Sequence, residues 1–234
     1  MKIKGVVRSL AFAGALALSS CSVNSDLKLE NLRNKIYDIK KNKISLDTIT
    51  FYKTEPDGLI LENNLLGDGV KVKHDGLCYI LTADHVVSFH KQAIDTPLGV
   101  EYYPVIRVSE ETYLNGKKLD EIVNDPEKGI AIFKGNDCDD SVQLGDSSQL
   151  KLLDDVYLIG NPRNGGVRPG IVGNERKKAM FMEIYGYSIS ANPHFGDSGN
   201  PVINHNGEIV GFLSEKHFVS GFMIPINKFK EYMK

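Results

Sequence analysis

Cysteine is scarce in this chain and long apolar runs are missing. The 234 residues include three cysteines, none in C-x-x-C spacing, which excludes a structural zinc site of the finger or ribbon kind and leaves no metal to expect. The longest apolar run, Leu10 to Leu18, is roughly nine residues, well short of the ~20 that a helix needs to cross a bilayer. No internal repeat or low-complexity tract is present, so disordered and collagen-like classes fall away. Nor is there a basic surplus. Lys and Arg number 28 against 30 Asp and Glu, a formal net charge of −2, and nothing calls for nucleic acid as a partner. What remains is ordinary globular composition, 41% hydrophobic and 25% charged, enough for one medium domain or two small subdomains.

Lys2, Lys4 and Arg8 precede the apolar run, and a basic start before a short apolar stretch reads as a signal peptide over residues 1–20. The next residues, Leu18-Ser19-Ser20-Cys21, resemble the bacterial lipobox, in which cleavage leaves the cysteine as a lipid-modified N-terminus. The alternative is a plain secretory signal with an incidental cysteine. A diacylglyceryl group plus an N-acyl chain such as palmitate buries several tens of CH₂ groups, and at about 0.8 kcal/mol each that is a stable membrane anchor. Cys21 is thus the expected lipid-attachment site, and everything from Ser22 onward is expected outside the cytoplasm, in the cell envelope. In a cell with two membranes, Ser22 in place of an acidic residue resembles the signal for outer-membrane sorting. Loss of residues 1–20 removes three basic side chains and leaves 25 basic against 30 acidic residues, a balance of −5. Cys78 and Cys138 either pair in an oxidising compartment or stay free.

From Leu27 to Ile44 the apolar residues Leu29, Leu32, Ile36 and Ile39 recur at steps of three and four, the pattern of a short amphipathic helix. Two uses fit it: a helix packed on its own domain, within a lipid-anchored tether over residues 21–44, or a stripe for coiled-coil self-association. Lys40-Lys41-Asn42-Lys43 at its end reads as a solvated terminus whose charge suits the helix dipole. Beyond residue 45 the texture changes to short β-rich runs: Ile49–Lys53, Val70–Lys73, Cys78–Thr82, Ile130–Lys134, Asp155–Ile159, Met180–Tyr187, Pro201–Ile203 and Ile209–Leu213. Asp75-Gly76 and Asn206-Gly207 fall between such runs as hairpin turns. This spacing, without intervening helical periods, predicts an all-β sandwich or barrels. A final helix is expected over Ile226–Met233.

Two short segments carry chemistry. Thr82-Ala83-Asp84-His85-Val86-Val87 follows an apolar strand, and Gly196-Asp197-Ser198-Gly199-Asn200-Pro201 precedes another. Acyl transfer needs an exposed nucleophile, a base in hydrogen-bond reach and backbone donors aimed at the developing oxyanion. Gly196 has no Cβ, so its N–H and that of Ser198 can converge on one point as an oxyanion hole, while Gly199 lets the chain turn back into a strand beside the serine. His85 and Ser198 are therefore the candidate catalytic base and nucleophile. The other five histidines, His74, His90, His194, His205 and His217, take the default structural reading.

The chain is similar to the trypsin-like serine peptidases, and most to the protease domain of the HtrA family. The resemblance runs from about Gly67 to the C-terminal helix, through Gly67-Asp68-Gly69, Tyr79-Ile80-Leu81-Thr82-Ala83-Asp84-His85, Leu144-Gly145-Asp146-Ser147, Ile159-Gly160-Asn161-Pro162, Gly170-Ile171-Val172, Asn192-Pro193 before Gly196-Asp197-Ser198-Gly199, and Gly221-Phe222-Met223-Ile224-Pro225-Ile226. It implies a chymotrypsin-like fold of two antiparallel six-stranded β-barrels, expected here over about 45–140 and 141–234 of a peptidase domain spanning 45–234, with the catalytic groups in the cleft between them. It implies no cofactor and a protein or peptide substrate. Unlike most HtrA members, the chain leaves no room for a C-terminal PDZ domain. The family alignment places the floor of the specificity pocket at Asn192 and its walls at Leu213-Ser214-Glu215 and Gly221. A floor without a carboxylate implies a small apolar or uncharged residue before the scissile bond.

The chain departs from the family at one position. The triad Asp normally stands immediately before an Ile/Leu-Ala-x-x strand, and here that strand reads Ile130-Ala131-Ile132-Phe133 after Gly129. The Asp orients the imidazole and stabilises the imidazolium, and enforcing the wrong tautomer costs about 10⁴ in kcat. Glu127 is a candidate substitute, since side chains two apart on a strand share a face; the other reading is a solvated acidic turn, Asn124-Asp125-Pro126-Glu127. Asp84 is discounted because successive strand residues point apart. In trypsin-like zymogens the Asp equivalent to Asp197 pairs with a freshly cut N-terminal amine, but an acylated N-terminus does not serve, so local backbone donors or a neighbouring cation are expected for Asp197 instead. Gly-x-Ser-x-Gly is absent, which argues against an α/β-hydrolase esterase. Two functions remain open: an envelope serine endopeptidase, or a weakened pseudoprotease kept as a peptide-binding or interaction module.

Overall fold

The computed structural model of the chain describes residues 28–53, 60–88, 91–96, 99–104, 106–161, 166–178, 184–217 and 220–234. The signal peptide and Cys21 lie outside them. Residues 28–42 form helix α1. Of its apolar stripe, Ile39 is buried and Leu32 and Ile36 pack beside it against the core, whereas Leu29 is exposed. The stripe is therefore used on the chain's own domain. At its end Asn42 Nδ2 donates to Asp38 O at 3.0 Å and to the Asp139 carboxylate at 3.3 Å, and the next residue starts the first strand.

The N-terminal half contains β1 (Lys43–Lys53), β2 (Ile60–His74), β3 (Leu77–Ala83), β4 (Lys91–Thr96), β5 (Gly99–Pro104), β6 (Ile106–Leu114), β7 (Lys117–Lys118), β8 (Glu121–Asp125) and β9 (Ile130–Lys134), with a single helical turn, α2 (Asp84–Val87), after β3. Among the described residues β4 and β5 pair only with each other; the rest form one antiparallel sheet in the order β7-β6-β1-β2-β3-β9-β8. The two edge strands are consecutive in the chain. Between them Leu119 N donates to Thr112 O beside β6, and Lys134 N at the end of β9 donates to Asp120 O, both at 2.8 Å. Residues 117–125 thus act as one bent strand that changes partner at 119–120 and brings the two edges together, the sixth member of a barrel. The β2–β3 turn is Asp75-Gly76 with φ of 48° and 80°, the two positive φ angles that a two-residue hairpin turn requires.

The C-terminal half is a closed barrel, β10 (Asp155–Ile159), β11 (Val167–Lys178), β12 (Ile184–Ile189), β15 (Ser220–Pro225), β14 (Ile209–His217) and β13 (Pro201–Asn204), in that spatial order. Its interior holds Val156, Leu158, Val172, Ile189, Val202, Val210, Leu213 and Met223. A larger apolar cluster combines β3 and β9 with Ile203, Ile209, Phe212 and Phe229, and so joins the two halves. Phe212 and Phe229 are both fully buried, with ring centroids 4.9 Å apart; each such ring contributes about 1.5–3 kcal/mol by burial. The last helix, α3, spans Ile226–Lys230 and is shorter than the expected Ile226–Met233. Its final carbonyls bond three residues on, Tyr232 N to Phe229 O and Met233 N to Lys230 O, because a tightened turn brings Met233 into the core. The strand expected at Met180–Tyr187 begins at Ile184; residues 179–183 lie outside the described residues.

Candidate functional site

His85 rides on the one-turn helix α2, anchored by the buried side chains of Val86 and Val87. A Cβ at Gly67 would collide with Val86 Cγ1, so the glycine on β2 makes room for this turn. At the next residue, Asp68 O accepts from Thr82 Oγ1 at 2.8 Å. The serine segment closes against this same spot, since a Cβ at Gly199 would collide with Asp68 O and Thr82 Oγ1. Gly199 also has φ 81° and donates its N–H to Leu213 O at 2.8 Å. Glycine at 199 thus permits a close approach that sets Ser198, from the C-terminal half, beside the strand leading into His85.

Residues 194–200 form a turn closed by Asp197 N to His194 O and Asn200 N to Asp197 O, both at 3.1 Å. Gly196 stands at φ 87° with open space where a Cβ would be; backbone conformation, not crowding, calls for glycine there. Asp197 is fully buried. Its carboxylate accepts from Asn161 N at 3.1 Å and His194 N at 2.6 Å, and it forms an ion pair with Arg168. Both expected sources, backbone donors and a cation, are present. Arg168, on β11, was not among the candidate site residues; 29 positions separate it from Asp197, and no local motif links the two.

Ser198 is half-buried, and its Oγ donates to Ser214 O at 3.0 Å. Among the described residues no hydrogen bond joins Ser198 to His85. Among the same residues His85 Nδ1 is shielded from solvent without a hydrogen-bond partner, and so is Ser214 Oγ. The carboxylate nearest to Nδ1 among the described residues is Asp84 Oδ1 at 3.8 Å, beyond hydrogen-bond length. Residue 84 lies on a helical turn, so strand alternation does not separate it from His85 as expected. Gly129 is buried, has φ 75°, and accepts the Asp84 amide at 3.0 Å. Glu127 is exposed within the turn 126–129, where it shares no strand face with residue 129. The turn is held by Asp125, whose Oδ1 accepts from Lys128 N at 3.1 Å and whose Oδ2 accepts from Tyr232 Oη at 2.6 Å.

Of the three pocket residues, Asn192 is exposed with φ 45°, while Ser214 and Gly221 are buried. A Cβ at Gly221 would meet Leu213 Cδ1 at 2.6 Å, Pro193 Cγ at 3.1 Å and Ile189 Cγ1 at 3.3 Å. Gly221 therefore lies packed against Leu213 and Ile189 of the barrel interior and against buried Pro193, with no room for a side chain.

Residues 67–212 match the family model of the trypsin-like peptidase domain. The chain is 32% identical over 178 residues to a probable periplasmic serine endoprotease, DegP-like, of Pseudomonas putida (strain W619), covering 71% of this chain and 33% of the relative. It is 27% identical over 237 residues to a serine protease, HtrA-like, of Staphylococcus aureus (strain USA300), covering 91% of this chain and 26% of the relative. The chain thus spans a third or less of the length of these relatives. Among solved structures, the HtrA-type protease AlgW with decapeptide aligns at TM-score 0.57 and 19% identity, covering 86% of this chain and 66% of that one. AlgW with tripeptide aligns at TM-score 0.54 and 21% identity, covering 86% and 62%. At these identities the structures speak for the fold, while the match over residues 67–212 speaks for the family: the chain belongs to the trypsin-like peptidase domain family.

Proposed function

We propose that the chain is a serine endopeptidase of the cell envelope that cleaves peptide bonds through an acyl-enzyme. Ser198 attacks the scissile carbonyl. His85 takes the proton and returns it to the leaving amine, and the Gly196 and Ser198 amides receive the oxyanion. The observation that carries the reading is the turn 194–200, closed by its own hydrogen bonds around a glycine at φ 87°; such preorganised donors are worth about 10²–10³ in kcat each. The substrate is a protein or peptide with a small apolar or uncharged residue before the scissile bond, in keeping with an Asn and no carboxylate at position 192. Anchoring through lipid at Cys21 places the domain outside the cytoplasm, a location in accord with the periplasmic relative. The test is labelling by a fluorophosphonate probe: the folded protein takes the label and Ser198→Ala does not. A correctly folded sample that takes none ends this reading.

A second reading, a pseudoprotease that binds peptides without turnover, draws on Gly129 and on His85 Nδ1, which has no acceptor among the described residues. Peptide binding with neither labelling nor cleavage favours it.

A further inference from the structure

We propose that Arg168 is a positioning residue for the oxyanion turn. It holds Asp197, and through Asp197 the backbone from His194 to Ser198, with the Gly196 and Ser198 amides turned toward the substrate. This rests on the reading of that turn as an oxyanion hole.

The Asp197 carboxylate lies between two segments. One oxygen accepts from Asn161 N at 3.1 Å and the other from His194 N at 2.6 Å. The carboxylate thereby ties the start of the serine turn to the end of β10, while the Asp197 backbone closes the turn on both sides. Such a group keeps its place only if its charge is balanced, because a fully buried carboxylate without a counter-ion either protonates or leaves. Arg168 supplies the balance from β11, with its own side chain 11% exposed. A Cβ at Gly160 would collide with Arg168 Nη2 and come within 2.8 Å of Asp197 Oδ1, so the glycine of Ile159-Gly160-Asn161 leaves space for the ion pair. Among the described residues Lys43 also acts on Asp197 through its charge, but its direct contacts lie elsewhere: its Nζ donates to Ile159 O at 3.2 Å and Gly160 O at 3.1 Å and pairs with Asp68 at 3.4 Å. Arg168 is therefore a fixed internal cation on the one buried acid in the turn, and it needs no chain cleavage to supply it.

Two readouts on the full chain separate the turn from the chemistry: ¹H–¹⁵N resonances of Gly196 and Ser198, and the rate of fluorophosphonate labelling. Arg168→Met is expected to keep the circular dichroism spectrum, displace both amide resonances and slow labelling by about 10²–10³, as loss of an oxyanion donor does. Arg168→Lys falls between, keeping the charge without the planar fork. Adding Asp197→Asn to Arg168→Met removes the unbalanced buried charge and keeps one acceptor oxygen, which serves Asn161 N or His194 N but not both, and is expected to restore labelling in part, by about tenfold over the single variant. Wild-type labelling and unmoved amides in Arg168→Met overturn the proposal, and so does a double variant no faster than the single one. If Arg168→Met fails to fold, the double variant decides. Folded with wild-type Gly196 and Ser198 resonances it supports the proposal, and unfolded it overturns it. If the wild-type protein takes no label, the peptidase reading fails and the amide resonances alone decide the role of Arg168.

Discussion

The backbone amide of Asp84 donates to the carbonyl of Gly129 at 3.0 Å, so the residue before the expected base is tied directly to the one that stands where the family carries its acid. Gly129 has φ 75°, a conformation natural to glycine and adopted by Asp or Asn at a cost.

Gly129→Asp is therefore expected to act in two directions. Peptide hydrolysis rises by about 10 to 10³, part of the ~10⁴ that a correctly placed triad carboxylate is worth. Stability falls by about 1 kcal/mol from the left-handed backbone. Steady-state kinetics and thermal melts read both. A lower melting temperature with unchanged kcat would mean that another group already orients His85.

Among the described residues His85 Nδ1 is shielded and has no acceptor, and residue 129 contributes no side chain. A carboxylate as small as formate is expected to restore the missing acceptor from solution. Labelling of Ser198 should accelerate about tenfold and saturably with formate in the wild-type protein, and little in Gly129→Asp. Equal acceleration in both proteins would assign the effect to something other than the imidazole.

Acid stability is expected to depend on Asp146. Its Oδ1 accepts from Ser148 Oγ at 2.7 Å, Ser148 N at 2.9 Å and Asn227 Nδ2 at 2.7 Å, joining the 3₁₀ turn Ser147–Gln149 to α3. The Ser148 hydroxyl first, then Asn227, hold the carboxyl well below the usual carboxylate range. A pKa lower in the folded than in the unfolded chain gives stability that is complete above the unfolded value of about 4 and lost as pH falls toward the folded one. The melting temperature of the wild-type protein should thus drop more steeply below about pH 4 than that of Asp146→Asn. Parallel curves would remove Asp146 from the account.

Cys78 and Cys138 form a disulfide across 60 residues of chain. Reduction, or Cys138→Ser, is expected to cost about 2–4 kcal/mol of stability in denaturant melts, chiefly by freeing the unfolded chain. Labelling of Ser198 well below the melting temperature should be unchanged, as neither sulfur belongs to the proposed catalytic machinery. A loss of labelling with the fold intact would show that the bridge shapes the site.

What the sequence determined by itself is local. Alternation and turn chemistry mark β2, β3 and their Asp75-Gly76 hairpin, because φ > 0 at two successive positions is a property of those residues alone. The segments around His85 and Ser198 are legible for the same reason: each is a short run whose glycines and polar groups have a job within a few residues. Strand β11 and the bent strand 117–125 carry no such signal. Their pattern is charged or broken, and only barrel closure, which supplies partners to both sides of residues 119–120, makes strands of them. The tertiary structure also decided the charges. Asp197 meets Arg168 from 29 positions away, Asp84 comes within 3.8 Å of His85 Nδ1 because the chain coils there instead of extending, and Glu127 is exposed on a turn. Periodicity reports which side of its own element a residue faces. Which buried charge finds a counter-ion depends on elements that meet only when the chain is packed.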